Sequence, residues 1–122
     1  YMCNSWGTIQ KKGNYHPKHT HPNAIFSSVF YVNAPSSSIS FIVERTKIQE
    51  GFHFDYEIES YNEFNSSHWE LPVSDGDIIF FPGQLPHESK VHELSSERIV
   101  IGSSYFAKGT YGKPEDYDDI DL

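Results

Sequence analysis

The sequence lacks several features that define whole classes of protein. It has one cysteine, Cys3, in 122 residues, so no disulfide framework can form within the chain, and a reducing, cytoplasmic location is expected. No apolar run approaches the roughly eighteen residues of a membrane span. Nine Lys and Arg residues stand against 17 Asp and Glu residues, and this net charge of −8 with neutral histidines disfavours binding to nucleic acid.

Negative charge is concentrated at the C-terminal end of the sequence. Residues 113–122 hold one Lys and five acidic residues, half of the net charge of the chain. The Gly-, Tyr- and Asp-rich composition after residue 108 is typical of a segment without a packed core. We therefore expect one folded domain over residues 1–108 and an acidic, poorly ordered tail over residues 109–122. Because the sequence begins with Tyr1, this domain is also compatible with being the C-terminal part of a longer chain.

Short apolar and aromatic runs, separated by Gly, Pro, Asn and Ser, make up most of the remaining sequence. They show no sustained i, i+3, i+4 pattern, and 16% of all residues are aromatic, which favours strands over helices. The run Ile78–Phe81 is apolar on both alternating faces, which predicts a strand between two sheets. Residues 58–71 have no clean period and predict a long loop. The predicted strands are Ser5–Lys11, Ala24–Asn33, Ser38–Glu44, Phe52–Ile58, Asp77–Phe81, Glu88–His92 and Arg98–Phe106, so we expect an all-β sandwich or barrel.

Histidines are frequent, with seven in the chain. His19 and His21 are two residues apart, so in an extended segment both imidazoles point to one face and can reach one metal ion. His87 is the best candidate for a third ligand because it follows a predicted strand and turn. His16 lies on the other face of an extended chain and is expected to miss the site. His92 is expected to be an exposed bystander.

Arg98 is the other informative residue, because it opens an apolar run eleven positions after His87. A hairpin over residues 88–97 would bring Arg98 back beside the strand that carries His87. In that position its planar guanidinium could bind a carboxylate in a bidentate manner.

Several motifs, in this order, resemble the Fe(II)- and 2-oxoglutarate-dependent oxygenases, in particular a small group with an H-x-H, a distant His and an Arg. In that group a Trp and a Gly precede H-x-H-P, and a tyrosine-bearing strand and a G-x-x-x-x-F-P segment precede the last His and the Arg. The matching residues are Trp6, Gly13, His19 to Pro22, Val29 to Asn33, Gly76 to Pro82, His87 and Arg98. The resemblance covers about residues 4–106 and omits the variable middle.

The resemblance implies a double-stranded β-helix, also called a jelly roll or cupin-like barrel, which agrees with the all-β prediction. It implies that His19, His21 and His87 hold Fe(II), and that 2-oxoglutarate chelates this iron. It also implies that Arg98 binds the distal carboxylate of 2-oxoglutarate and that the Tyr31 hydroxyl donates to the same carboxylate. The expected activity is hydroxylation of a small-molecule or peptide substrate that the sequence does not name.

The sequence departs from this family at two positions. Most members carry an acidic residue where His21 stands, so three neutral imidazoles would leave the site one unit more positive and alter its metal preference. The family often has Ser two residues after the Arg, and Val100 occupies that position here.

Two other functions remain open at this point. A cupin-type metalloprotein shares the barrel, and Gly13 lies six residues before His19 as in cupins. However, no Glu follows His21 at the spacing that cupins use, and a cupin has no particular need for Arg98. The third possibility is a jelly-roll binding module without chemistry, since fold alone implies no reaction. A homodimer also remains open.

Overall fold

Short strands are the only regular structure in the described part of the chain. The structure is a computed structural model that describes residues 1–43, 57–62, 64–112 and 120–121. Among these residues no helix occurs that is long and apolar enough to cross a membrane. The strands are β1 (Met2–Gln10), β2 (His16–His19), β3 (Phe26–Asn33), β4 (Ser37–Ile42), β5 (His68–Val73), β6 (Ile78–Pro82), β7 (His87–Ser89), β8 (Arg98–Tyr105), β9 (Thr110–Tyr111) and β10 (Ile120–Asp121).

Eight of these strands form two antiparallel four-stranded sheets. The strand order is β1-β8-β3-β6 in the first sheet and β2-β7-β4-β5 in the second. Each early strand therefore lies beside a late one, in the pairs β1 with β8, β2 with β7, β3 with β6 and β4 with β5. Consecutive strands change sheet everywhere except between β4 and β5, so the chain is one long antiparallel ribbon wound into a roll. This architecture confirms the predicted double-stranded β-helix.

The two sheets share an apolar core. Tyr31, Phe81 and Val100 of the first sheet meet Ile39 and Phe41 of the second, and each of these side chains is at most 8% exposed. The Phe41 and Phe81 rings pack edge to face with centroids 5.1 Å apart. Alternation along each strand directs every second side chain into this layer. Burial of each large apolar side chain contributes about 1.5–3 kcal/mol, so this layer holds the sheets together.

The opposite side of the first sheet is also apolar, but it is exposed. In β6, Ile79 and Phe81 face the second sheet, whereas Ile78 and Phe80 are 48% and 59% exposed. The prediction of a strand covered on both faces is therefore wrong for the outer face, on which no second layer lies within the described residues. The register of β3 with β6 and β8 places further side chains on this outer face. They are the exposed Phe26, Phe30, Val32 and Ile101.

Four strands were not predicted: β9 and β10 near the C-terminal end, and two strands of the second sheet, β2 and β5, which both lie at its edges. β2 carries Pro17 and Lys18, and β5 carries Pro72 and exposes five of its six residues. Edge strands tolerate proline and need no alternating apolar pattern, so their sequences do not look like strands. The predicted loop over residues 58–71 is accordingly wrong for its last four residues, which belong to β5 and pair with β4.

The predicted hairpin over residues 88–97 is wrong. β7 ends at Ser89 and belongs to the second sheet, whereas β8 begins at Arg98 in the first sheet, so the intervening segment crosses between sheets. Residues 52–56 of the predicted strand Phe52–Ile58 lie outside the described residues. At the end of the chain, β9 pairs with β10. The predicted disorder of the tail over residues 109–122 remains a prediction, since residues 113–119 are not described.

β1 and β8 make a close contact at Trp6 and Gly102. Trp6 lies opposite Gly102 in the register of these strands, and its indole covers the glycine. A Cβ atom at position 102 would lie 2.4 Å from Trp6 Cε2, so only glycine leaves room for the ring. The absence of a side chain at position 102 thus lets the Trp6 indole approach the backbone of β8 closely.

We predict that Gly102→Ala lowers the free energy of unfolding by about 1–3 kcal/mol, the usual cost of overpacking. Urea unfolding followed by tyrosine and tryptophan fluorescence measures this change. Gly7→Ala is the matched control, because Gly7 lies on the neighbouring strand with no atom within 4 Å of an added Cβ. Equal effects of the two substitutions would contradict the proposed role of Gly102.

Candidate active site

Three histidines from two adjacent strands converge at the end of the roll. His19 ends β2, His21 follows it, and His87 opens β7. One ring nitrogen from each residue lies within 4.8 Å of the other two. The ring centroids are 4.3 Å apart for His19 and His87, and 5.1 Å apart for His21 and His87. This spacing allows three nitrogens to bind one metal ion.

Backbone pairing holds the three residues together. His19 lies opposite His87 in the register of β2 and β7. The backbone N–H of His21 donates to the carbonyl of Gly83 at 2.7 Å. A Cβ atom at Gly83 would lie 2.3 Å from the Ala24 carbonyl oxygen, so a glycine is needed where this turn meets the segment after His21. The loop carrying His21 is thereby held against the turn that leads to His87.

Hydrogen bonds determine the tautomers of two of these histidines. His19 Nδ1 lies 2.8 Å from the carbonyl of Pro17, and His87 Nδ1 lies 2.9 Å from the carbonyl of Leu85. A carbonyl oxygen only accepts, so each Nδ1 carries the proton and each Nε2 keeps its lone pair. Protein metal sites commonly orient their histidine ligands in this way.

Burial favours the neutral forms of His87 and His21. Desolvation, with smaller contributions from the neighbouring His19 and His21, lowers the pKa of His87 to about 4. Desolvation, followed by the charges of His19 and His16, also lowers the pKa of His21. Neutral imidazoles are the form that binds metal ions. The cluster is therefore ready to bind a cation at neutral pH without first releasing protons from these two rings.

Aromatic side chains enclose the cluster. The Phe81 ring lies 4.5 Å from His87, and the Trp6 ring lies 5.3 Å from His21, both measured between centroids. Phe81 is buried, whereas Trp6 lines the cavity beside the histidines. These rings reduce the access of water to one side of the site.

Arg98 lines the same cavity as the three histidines. Its side chain is 4% exposed. Burial lowers the pKa of Arg98, but the ordinary value is so high that the guanidinium keeps its positive charge at neutral pH. Its Nε donates to Gln10 Oε1 at 2.6 Å, and one terminal nitrogen donates to Ser89 Oγ and the Lys90 carbonyl at 2.9 and 3.2 Å. Each of these acceptors is uncharged. Among the described residues, no carboxylate forms an ion pair with Arg98.

Tyr31 lies beside Arg98 in this cavity. It is 4% exposed, and burial raises its pKa to about 12, so its hydroxyl is protonated at neutral pH. Within the described part of the chain that hydroxyl has no hydrogen-bond partner. It is therefore available to donate to a ligand next to the guanidinium.

The structure thus brings together all five residues that the sequence nominated: His19, His21, His87, Arg98 and Tyr31.

The remaining predictions about histidines have mixed outcomes. His16 is outside the group of three but lines the same cavity, with its ring 5.5 Å from His19. The expectation that His92 is exposed is wrong: it is 3% exposed, and its Nε2 donates to the Ser96 carbonyl. His68 is exposed on β5, and His53 lies outside the described residues.

Sequence reasoning missed Gln10 and Ser89, the residues that hold Arg98. Gln10 is 4% exposed and lies directly opposite Arg98 in the register of β1 and β8. Gln10 lies four residues after Trp6, so both side chains lie on the same face of β1. This even spacing is the signal that could have placed Gln10 beside the site.

The family of the chain follows from comparison with known proteins. The model of the family described as "Putative 2OG-Fe(II) oxygenase" matches residues 4–104, most of the 122 residues. The chain belongs to this family. The match confirms the resemblance drawn from the motifs and includes all five site residues. No curated protein matches the sequence.

Solved structures show the same fold at low sequence identity. The non-heme alpha ketoglutarate dependent epimerase SnoN from nogalamycin biosynthesis is similar with a TM-score of 0.62 and 10% identity over 92% of this chain. The DMSP lyase DddQ from Ruegeria pomeroyi gives 0.51 and 16% over 84%, and the oxalate decarboxylase of Bacillus subtilis gives 0.54 and 12% over 97%. The chain spans 51%, 37% and 23% of these three proteins, respectively.

We predict that His19→Ala or His87→Ala weakens the binding of a divalent ion by more than roughly 100-fold, since loss of an outer-shell partner alone costs 10–100-fold. Titration of the metal-free protein with Co(II), followed by calorimetry, measures the affinity. His68→Ala, which removes an exposed histidine on β5, is the control and should bind as the unmodified protein does. Undiminished affinity in either His19→Ala or His87→Ala would move the metal site elsewhere.

Proposed function

We propose that this chain is an Fe(II)- and 2-oxoglutarate-dependent dioxygenase that hydroxylates a small-molecule or peptide substrate. The observation that carries the proposal is the position of Arg98. A buried guanidinium with only neutral acceptors faces the same cavity as three histidines suited to a metal ion. Burying an unpaired charge is costly, so an anionic ligand is the expected partner.

The chemistry of the donor set fits a first-row divalent ion. Three imidazoles supply three nitrogen donors, and two of them are already in the tautomer that binds through Nε2. Imidazole suits Fe, Zn, Cu and Ni, so the ligands permit iron without selecting it. Three ligands leave two or three positions for a chelating co-substrate and oxygen.

A dicarboxylate with a 2-oxo acid at one end matches the two ends of the cavity, one lined by the three histidines and the other by Arg98 and Tyr31. The histidine end would receive the metal-chelating 2-oxo acid, and Arg98 would receive the distal carboxylate. Tyr31, protonated at neutral pH, would donate to the same carboxylate. Family membership supports 2-oxoglutarate as this ligand.

The residues of the chain hold and orient the reactants. When bound, Fe(II) would let dioxygen oxidise both 2-oxoglutarate and the substrate: one oxygen atom would enter succinate as carbon dioxide is released, and the other would hydroxylate the substrate. His19, His21 and His87 hold the metal, and Arg98 and Tyr31 hold the far end of the co-substrate. Such two-point attachment fixes the orientation of the co-substrate, which is the main contribution of a protein to chemistry done by a cofactor.

A cupin-type metalloprotein with a three-histidine site is the second candidate. The observation that favours it is the absence of a carboxylate from the metal-binding group of the described residues. Such a protein would bind metal as tightly, but its affinity for 2-oxoglutarate would not depend on Arg98. Dependence on Arg98 therefore separates the two functions.

We predict that anaerobic addition of Fe(II) and then 2-oxoglutarate produces a weak visible charge-transfer band that neither produces alone. Arg98→Ala should weaken 2-oxoglutarate binding by roughly tenfold or more, because a charge-assisted hydrogen bond contributes about 1.5–3 kcal/mol. Pyruvate is the control ligand, since it has the 2-oxo acid but no distal carboxylate, and its affinity should not change.

Three results would contradict the assignment. Equal 2-oxoglutarate affinity in Arg98→Ala would remove Arg98 from the site. Tight metal binding without a band would favour the cupin-type site. Absence of metal binding would leave a jelly-roll module without this chemistry.

A further inference from the structure

The guanidinium of Arg98 is held by a specific set of neighbours, one of which lies directly across from it on the next strand. Gln10 of β1 is opposite Arg98 of β8, and both side chains are 4% exposed. Gln10 Oε1 accepts a hydrogen bond from Arg98 Nε at 2.6 Å. This hydrogen bond fixes the orientation of the guanidinium plane of Arg98.

A second set of contacts comes from the other sheet. One terminal nitrogen of Arg98 donates to Ser89 Oγ and to the Lys90 carbonyl. Ser89 Oγ also accepts the backbone N–H of His16 at 2.9 Å, so it links Arg98 to the strand that carries His19. The position of the guanidinium is thereby tied to the position of the metal-binding strand.

These contacts use three of the five N–H groups of the guanidinium. Among the described residues, the other terminal nitrogen has no acceptor. Since Nε and one terminal nitrogen are already engaged, no pair of adjacent N–H donors is open to a ligand, and the bidentate contact predicted from the sequence is wrong for this arrangement. The geometry leaves one terminal nitrogen, together with the Tyr31 hydroxyl, as the donors that a carboxylate can reach.

The acceptors around Arg98 are an amide oxygen, a hydroxyl and a backbone carbonyl. None carries charge, so the hydrogen bonds orient the guanidinium without neutralising it. A glutamate at position 10 would have nearly the same shape as glutamine but would form a buried ion pair with Arg98. The arginine would then have little attraction left for an anionic ligand.

We propose that Gln10 is a positioning residue that orients Arg98 and, because it is neutral, preserves the positive charge of Arg98 for the distal carboxylate of the co-substrate. This inference rests on the proposed function and deepens it. It assigns selectivity for a dicarboxylate over a monocarboxylate to the neutrality of one side chain, which lines the cavity and holds Arg98 from the neighbouring strand.

Gln10→Glu tests the proposal. The affinity of the metal-loaded protein for 2-oxoglutarate should fall roughly tenfold or more, the size of one charge-assisted hydrogen bond. The affinity for pyruvate should stay the same, because pyruvate does not reach Arg98. The thermal midpoint of the ligand-free variant should be equal or higher, since the new carboxylate would pair with the buried guanidinium.

Gln10→Ala separates the two roles of Gln10, which are to orient Arg98 and to leave its positive charge unneutralised. It removes the acceptor on Nε without adding an anion, so it should reduce the ratio of 2-oxoglutarate to pyruvate affinity by less than Gln10→Glu does. It also keeps the test valid if Gln10→Glu fails to fold. Asn4→Asp is the matched control, because it makes the same amide-to-acid change at an exposed position of the same strand and should leave the ratio unchanged.

Calorimetric titration of the Co(II)-loaded proteins with each ligand measures these affinities. An unchanged ratio of 2-oxoglutarate to pyruvate affinity in Gln10→Glu, or in Gln10→Ala if only that variant folds, would overturn the role of Gln10 while leaving the proposed function intact. Equal losses for both ligands would show a merely structural role and would also overturn it. Failure of the unmodified protein to bind 2-oxoglutarate would overturn the proposed function and this inference with it.

Discussion

A positive charge buried between two sheets is the feature on which the chemistry of this protein depends. Arg98 is almost fully enclosed, yet its partners among the described residues are all neutral. An enclosed charge of this kind is stable only with hydrogen bonds, and it gains further when an anion joins it. The three histidines in the same cavity provide a place for a cation at the other end of that anion.

The roll architecture explains how residues from distant parts of the sequence meet. Early strands pair with late ones, so β1 places Gln10 beside Arg98 of β8, and β2 places His19 beside His87 of β7. Arg98 belongs to the first sheet and the histidines to the second, and Ser89 connects the two. The two ends of the cavity are therefore held in one geometry by contacts that cross between the sheets.

Sequence patterns predicted the central strands and nominated the three histidines and Arg98, because alternation of apolar residues and residue spacing can be read directly from the sequence. Tyr31 was implied only by the resemblance to the family. The patterns failed at edge strands β2 and β5, which carry Pro17 and Pro72 and lack an alternating apolar pattern. They also failed for His92, which is buried by backbone pairing with Asn14 and Gly13 from a distant part of the chain. The pairing of Gln10 with Arg98 depends on β1 lying beside β8, a long-range register that no local pattern contains.

The most direct test of a single site with a metal end and an anion end is a crystal structure of the protein with Mn(II) and 2-oxoglutarate. We expect an anomalous peak bound by His19, His21 and His87. We also expect one continuous ligand whose distal carboxylate lies within hydrogen-bond distance of Arg98 and Tyr31. A metal ion elsewhere, or a ligand whose distal carboxylate points away from Arg98, would exclude such a site.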